Sequence, residues 1–574
     1  MKLRKLILTS LLLVLTLAPR LSSLDSFVTL DEPFWLSVGA NYYYALGQRE
    51  LENTVYEYHP AVTTMSLITA AFLMDFPDYR GLGQGYFDVD KEKFDPFLLE
   101  HGHDPMYLLY LSRVFQVIVI VLLALIIFQL LSVLFGDEKA FLITAFASSA
   151  PYFLGHSRVL SHEAMVAFFV LASILGLMVY LDQRRKWYYL FISAASAALA
   201  QLTKSSAMAM FPVIGLMLAV SVFEKMKERG FKSALVDHLK IFGIWIAFLA
   251  LVYFILWPGM WVAPGKMLYE VYGNAFSYAF QGARLQVTHE LQTSAFSLAS
   301  AGSVIRYFIE SLAWHSTPVS WLGFLFAWLF FFVRGNNRFF TVPRKLILYS
   351  SLTAVMFILL FSFAQGRNSL HYIMASFVSL DMIAALGWTS LLGWMAGKRK
   401  FSQTKMGSWS VVGVAILLIG LQLAGAFAYY PYYYVYSNPI WTAVTGNEYM
   451  SDYGEGFEKA AAYLAQKPNA ESLSAFSFRG RGPFSYFFPG RTIILNPLFM
   501  EELEMGSVFE RLAQADYIVI NDAFGLRTER TALFARELES IQPEYSIQVK
   551  GAYPIHIYRV ADLPPSFYET LGKQ

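Results

Sequence analysis

Mostly apolar stretches recur along the chain, at roughly 3–24, 107–134, 139–154, 160–182, 187–203, 206–223, 240–257, 318–333, 346–364, 371–396 and 409–430. A bilayer core takes about 20 such residues per helix, and a spanning segment has to satisfy its own backbone hydrogen bonds. The stretches therefore predict a polytopic α-helical membrane protein with about 11 transmembrane helices. Composition agrees, because 56% hydrophobic against 15% charged residues is too apolar for an ordinary soluble domain. The net charge of +2 gives no basis for nucleic-acid binding, and no such partner is expected. The absence of cysteine excludes disulfides, thiolate metal sites and cysteine nucleophiles.

Charges between the stretches set an orientation. "MKLRK", "GDEK", "DQRRKW", "EKMKERGFKSALVDHLK", "RGNNRFFTVPRK" and "GKRKFSQTK" fall on alternate loops. The positive-inside rule assigns these to the cytoplasm. A multi-pass protein of the plasma (cell) membrane is expected, N-terminus inside and C-terminal segment outside. The first stretch, broken by Pro19 and Arg20, also fits a secretory signal peptide; either way Asp31 emerges outside.

Three regions then lie outside: 25–106, 258–317 and 431–574. In the first, "EPFWLSVGANYYYALGQ" and "PAVTTMSLITAAFLM" read as helices lying in the membrane surface. Taking 60–76 as a further span would invert every later loop and put the Lys and Arg clusters outside. The tail alternates helical and strand patterns: "EGFEKAAAYLAQKP" and "TERTALFARELESI" as helices, "SLSAFSF", "RTIIL" and "ADYIVIND" as strands, "YSIQVK" with "IHIYRV" as a hairpin. The expected organisation is a transmembrane domain over 1–430 and a small α/β extracytoplasmic domain over 431–574.

The first outer loop opens on "SFVTLDEPFW", with Asp31 and Glu32 adjacent and Pro33 behind them. Asp31 is also a good helix N-cap before that proline. The same face receives Arg113, Arg158, Glu163, Lys204, Arg367 and His371. Ionisable groups at membrane depth are costly and usually paired or functional. Guanidinium groups bind phosphate oxygens bidentately and lysine adds a point charge, so these cations suit a lipid phosphate. Plainer roles stay open: a structural pair for Glu163 with Lys204, headgroup snorkelling for Arg158 and Arg367, packing for His371. "HGHDP" at 101–105 resembles a metal cluster, but its glycine and proline favour a surface loop.

The ordered set "RLSSLDSFVTLDEPFW", "YHPAVTTM", "GHSRVLSHEA", "QLTKSS", "YYYVYSNP" and "DYGEGFEKAAAYL" resembles the protein O-mannosyltransferase and lipid A aminoarabinose transferase superfamily of GT-C membrane glycosyltransferases. The likeness runs from about residue 20 to 560 and is greatest to prokaryotic members with a small C-terminal domain. It implies the GT-C fold and transfer of a sugar from a polyprenyl-phosphate donor to a hydroxyl of a protein, lipid or glycan outside the cytoplasm. It makes the acidic pair, Asp31 and Glu32, the catalytic motif. This chain departs from the pattern at "HY" (371 and 372), where relatives carry arginine and tyrosine, leaving Arg367 or His371 to meet the phosphate. It departs again at "EYHPA", where Glu57 is set back by one before His59, and at Glu163, where an aspartate is common. Glu57, His59 and Glu163 would support the site.

The chemistry is coherent without the resemblance. A phosphate leaves as a stable anion, so one base taking the acceptor proton suffices, whereas a glycoside hydrolase needs two separated carboxylates. The cations would stabilise charge on the leaving phosphate. No cofactor is expected to be required, and no ligand cluster argues for a divalent metal. The expected partners are the lipid-linked sugar donor, the hydroxyl acceptor and membrane lipids. The alternative class is a transporter or lipid flippase using the same buried charges, but no internal repeat is visible and the charges gather at one face instead of the midplane. An assembly scaffold is a third reading.

Overall fold

The computed structural model describes residues 2–56, 59–82, 93–281, 298–333, 341–364, 368–396, 405–502 and 505–572. Each apolar stretch is mostly helical where it is described, with 139–154 divided into Asp137–Ser148 and Pro151–His156. Among the described residues, six helices are long and apolar enough to cross a membrane: Pro105–Phe135, His162–Asp182, Ser205–Arg229, Phe231–Leu256, Val342–Phe363 and Leu370–Met395. A seventh crossing results if Ala301–His315 and Pro318–Phe332, bent by 112° at their junction, form one span. The first half of that pair lies in the stretch read from sequence as the outer loop 258–317. Its helix, Leu298–His315, carries Arg306 and Glu310 and so gives no uninterrupted apolar signal. The helix Val62–Asp75 has 14 residues, too short for the further span that the charge pattern had argued against.

The chain divides into two compact units. One holds Met1–Ser22, Val38–Gly85 and Ser112–Thr445; the other holds Ser23–Ser37, Tyr86–Leu111 and Gly446–Gln574. This departs from a single cut at 430, because two pieces of the first loop belong with the tail.

In the first unit, small residues let helices approach closely, as lipid-embedded bundles require. Gly323 and Gly387 face each other where Pro318–Val333 crosses Met374–Ala396, and a Cβ on Gly387 would overlap the Gly323 carbonyl. Charges inside this unit are answered locally. Buried Lys345 donates to Asp182 at 2.6 Å and to Glu224 at 2.7 Å, joining three helices. Ser320 donates to Asp381 at 2.5 Å and accepts from Gln422 at 2.9 Å, while Thr317 donates to Gln422 at 2.8 Å. Arg20 stays inside its helix, Lys2–Leu21, buried and donating to Ser157 (2.7 Å) and to the carbonyls of Thr16 (2.9 Å) and Ser148 (2.8 Å).

The second unit contains a five-stranded sheet: β1 (Ser474–Ser477), β2 (Arg491–Ile494), β3 (Tyr517–Asn521), β4 (Tyr545–Ile547) and β5 (Ile555–Arg559). The order is β2-β1-β3-β5-β4, with β2, β1 and β3 parallel and β5 antiparallel to both β3 and β4. Central β3 is buried throughout, which explains its unbroken apolar run "YIVI". The helices Phe457–Ala465 and Glu529–Glu539 lie where the periodicity places them, the second N-capped by Thr528. Residues 23–37 attach through the Leu30 N–H, which donates to the Tyr453 carbonyl at 3.0 Å. Residues 93–111 attach through Asp95, held by Arg481 at 2.9 and 3.2 Å. Gly482, at φ +85°, presses on Pro33 where any Cβ would overlap the ring.

The glycine crossing gives a direct test. Gly387→Leu is expected to force the two helices apart and cost about 1–3 kcal/mol, lowering the melting temperature in detergent by several degrees. An unchanged melting temperature would show that the crossing is not close-packed.

Candidate active site

In the second unit, the acidic motif begins as a helix start. The Thr29 N–H and hydroxyl both donate to Glu32 Oε2 at 2.8 Å, the reach-back half of a T-x-x-E capping box. Glu32 is wholly buried by this arrangement. Pro33 follows in the first turn of the helix Glu32–Gln48, where its missing N–H costs nothing. The Asp31 carbonyl accepts from Trp35 N–H at 3.1 Å, while its side chain remains half-exposed. Asp31 Oδ2 accepts the Tyr453 hydroxyl at 2.6 Å. The two carboxylates are therefore differently employed: Glu32 ties down the backbone, and Asp31 is presented.

Tyr453 sits in the loop "SDYGEGF". Gly454 and Gly456 adopt φ +116° and +85°, which only glycine takes without strain. Glu455 accepts from the Ser451 hydroxyl at 2.6 Å and from the Tyr453 N–H at 2.8 Å, and its burial pushes its carboxyl above the usual range. Asp452 accepts from Arg479 at 2.6 Å, from Asn521 at 2.9 Å and from Arg527. Sequence reasoning used "DYGEGFEKAAAYL" only as part of a resemblance and did not single out Tyr453; two glycines within an acidic turn were the available signal.

In the first unit, Lys204 follows the helix Trp187–Thr203 and Glu163 opens His162–Asp182. Their ion pair, at 2.6 Å, is buried on both sides. Ser161 holds the other Glu163 oxygen at 2.9 Å. The Lys204 amine also lies 4.0 Å from the centre of the Tyr372 ring, a cation–π geometry. The neighbouring His162 bonds Thr64 at 2.6 Å, and its ring centre is 6.0 Å from that of His59. His371 packs its ring 5.9 Å from His156.

Among the other expected phosphate contacts, Arg158 is buried and does not snorkel. It donates to the Pro431 carbonyl at 3.0 Å and to the Ser22 carbonyl, with its guanidinium 5.0 Å over Tyr433. Arg113 is buried in the helix Pro105–Phe135, one turn before Gln116, which donates to the Val159 carbonyl and accepts from Ser161 N–H at 3.1 Å. Arg367 and Glu57 lie outside the described residues. In "HGHDP", His101 bonds the Phe97 carbonyl at 2.9 Å and Asp104 caps the following helix through Met106 N–H, also at 2.9 Å. Among the described residues, no three His, Asp or Glu side chains are grouped to hold a metal ion.

A cavity of about 520 Å³ opens beside the ion pair. His59, Lys204, Ser205, Ser206 and Tyr372 supply its polar lining, and Met208, Pro212, Met356, Leu359, Leu360 and Phe363 are among its apolar walls. One buried cation with hydroxyls on an otherwise apolar surface suits an anionic group attached to a hydrocarbon chain.

Residues 111–257 match the family model described as dolichyl-phosphate-mannose-protein mannosyltransferase. That stretch contains Arg113, Arg158, Glu163 and Lys204, so the match meets the resemblance drawn from the sequence where those ionisable groups lie. Among solved structures, the chain is similar to ArnT from Cupriavidus metallidurans bound to undecaprenyl phosphate, at 12% identity over 96% of this chain and 97% of that one, TM-score 0.47. It is similar to the apo oligosaccharyltransferase of Archaeoglobus fulgidus, at 13% identity over 93% and 71%, TM-score 0.43. The S. cerevisiae Pmt1-Pmt2 protein O-mannosyltransferase complex bound to the sugar donor matches at 15% identity over 49% and 37%, TM-score 0.34. No curated protein matches the chain by sequence.

The ion pair separates stability from chemistry. Lys204→Met strands a buried carboxylate and is expected to cost about 3–5 kcal/mol, whereas Lys204→Met with Glu163→Gln should melt within a few degrees of the natural protein in detergent. A double variant as unstable as the single one would contradict the pairing.

Proposed function

We propose that the protein is an inverting glycosyltransferase that moves a sugar from a polyprenyl-phosphate donor to a hydroxyl acceptor on the extracytoplasmic side of the membrane. The cavity beside Lys204 carries this reading, because it combines a single buried cation with walls suited to a prenyl chain. The family match over 111–257 supports the reaction class. The positive-inside pattern supports the sidedness. The acceptor is a hydroxyl of a protein, lipid or glycan, and the sugar is a hexose or pentose.

In this reading Asp31 takes the proton of the acceptor hydroxyl. The acceptor oxygen forms its bond to the anomeric carbon from the face opposite the phosphate, and the carbon–oxygen bond to phosphate breaks with its electron pair leaving on the phosphate. No acid is needed at the leaving group, so one presented carboxylate is sufficient. Lys204 meets the phosphate as a point charge, held in place by Glu163. His371 is assigned to that end in this reading, with His59, which lines the cavity, supporting it. Among the described residues lining the cavity, neither Arg113 nor Arg158 is present, and Arg158 has its guanidinium engaged by carbonyl oxygens. Glu32 maintains the backbone that presents Asp31.

The deciding experiment supplies labelled polyprenyl-phosphate sugars to the purified protein in detergent with acceptor membranes. An enzyme consumes donor there, whereas a transporter requires a sealed compartment. Asp31→Asn is expected to insert and melt like the natural protein while losing at least about 100-fold in transfer rate; undiminished turnover would refute the base. Lys204→Met with Glu163→Gln is expected to raise the donor KM about 10-fold, corresponding to one lost charge contact of about 1.4 kcal/mol.

A further inference from the structure

We infer that Tyr453 is a positioning residue for Asp31, which makes the C-terminal domain a working part of the base and not only a docking module. The inference rests on Asp31 being the base. Tyr453 lies 422 residues away in sequence, yet its hydroxyl donates to Asp31 Oδ2 at 2.6 Å. That length is typical of an O–H donor on an ionised carboxylate.

Tyr453 is itself fixed by its main chain. Its N–H donates to Glu455 at 2.8 Å, and its carbonyl accepts from Leu30, the residue before Asp31, at 3.0 Å. One main-chain bond and one side-chain bond therefore clamp the same short stretch. Behind the tyrosine, Asp452 is held by Arg479, which follows β1, by Asn521, which ends β3, and by Arg527. Hydrogen bonds tie Asp452 to the sheet, the peptide bond joins it to Tyr453, and the Tyr453 hydroxyl bonds Asp31. A general base works only when its oxygen is held in line with the hydroxyl it deprotonates. A carboxylate has two oxygens, so engaging Oδ2 with a phenol orients Oδ1 for the acceptor proton.

The test is a double-mutant cycle in the full chain, using labelled polyprenyl-phosphate hexoses and pentoses with membranes from cells lacking the protein as acceptor. Tyr453→Phe is expected to lower kcat about 10-fold, a modest loss of alignment, with donor KM within about twofold and the melting temperature within about 2 °C. Because the effect passes through Asp31, Asp31→Asn combined with Tyr453→Phe is expected to be no slower than Asp31→Asn alone. A Tyr453→Phe protein with full kcat, or a double variant in which the two losses multiply, would overturn the inference. Full activity of Asp31→Asn would instead overturn the assignment of the base, so the two failures are distinguishable.

Discussion

A charge enclosed among apolar helices has to be answered by the protein itself, and the pair of Lys204 with Glu163 is where this constraint shapes the molecule most. The pair fixes the end of one helix to the start of another. It also holds an ammonium group at the wall of the cavity, against Tyr372. Glu163 thus serves packing and electrostatics together: it stabilises the buried cation and fixes where its ammonium group sits. Elsewhere the constraint has only structural outcomes. Lys345 is paired with Asp182 and Glu224, and Arg20 donates to a hydroxyl and two carbonyls.

The helices were legible because burial in lipid demands long apolar runs, and the tail strands because period-two and fully apolar patterns survive in short segments. The helix Leu298–His315 was not, since Arg306 and Glu310 interrupt its apolar pattern and its bent partner begins three residues later. The candidate site was legible by residue type but not by duty. Asp31 and Glu32 look alike in sequence; only the capping geometry around Thr29 shows that Glu32 is consumed in holding the turn. Arg158 and Lys204 likewise look interchangeable as outer cations, yet one is spent on carbonyl oxygens and the other lines a cavity. For Tyr453 the glycines beside it mark a turn, but the pairing itself is not encoded locally, because its partner lies hundreds of positions away.

The division of the chain also alters what the acidic motif belongs to. Linear reading joins Asp31 to the loop that follows the first helix, while the compact units join it to the sheet-bearing tail. Gly482 against Pro33, Arg481 on Asp95 and Tyr453 on Asp31 are three separate attachments between the tail and the two early pieces. Each uses a different kind of contact, steric, ionic and hydrogen-bonded, so the attachment does not depend on one of them.

The loop that Asp31 and Tyr453 close has a consequence for biosynthesis. Closing a loop of this length is entropically unfavourable and requires both ends to exist. During synthesis the acidic segment emerges early, and its phenolic partner emerges only after the whole helical region has been made. An interrupted chain therefore carries the carboxylate without its clamp, whatever the state of its helices. Completion of the chain is therefore a condition for this geometry: the Asp31 carboxylate gains its phenolic partner only once the tail exists.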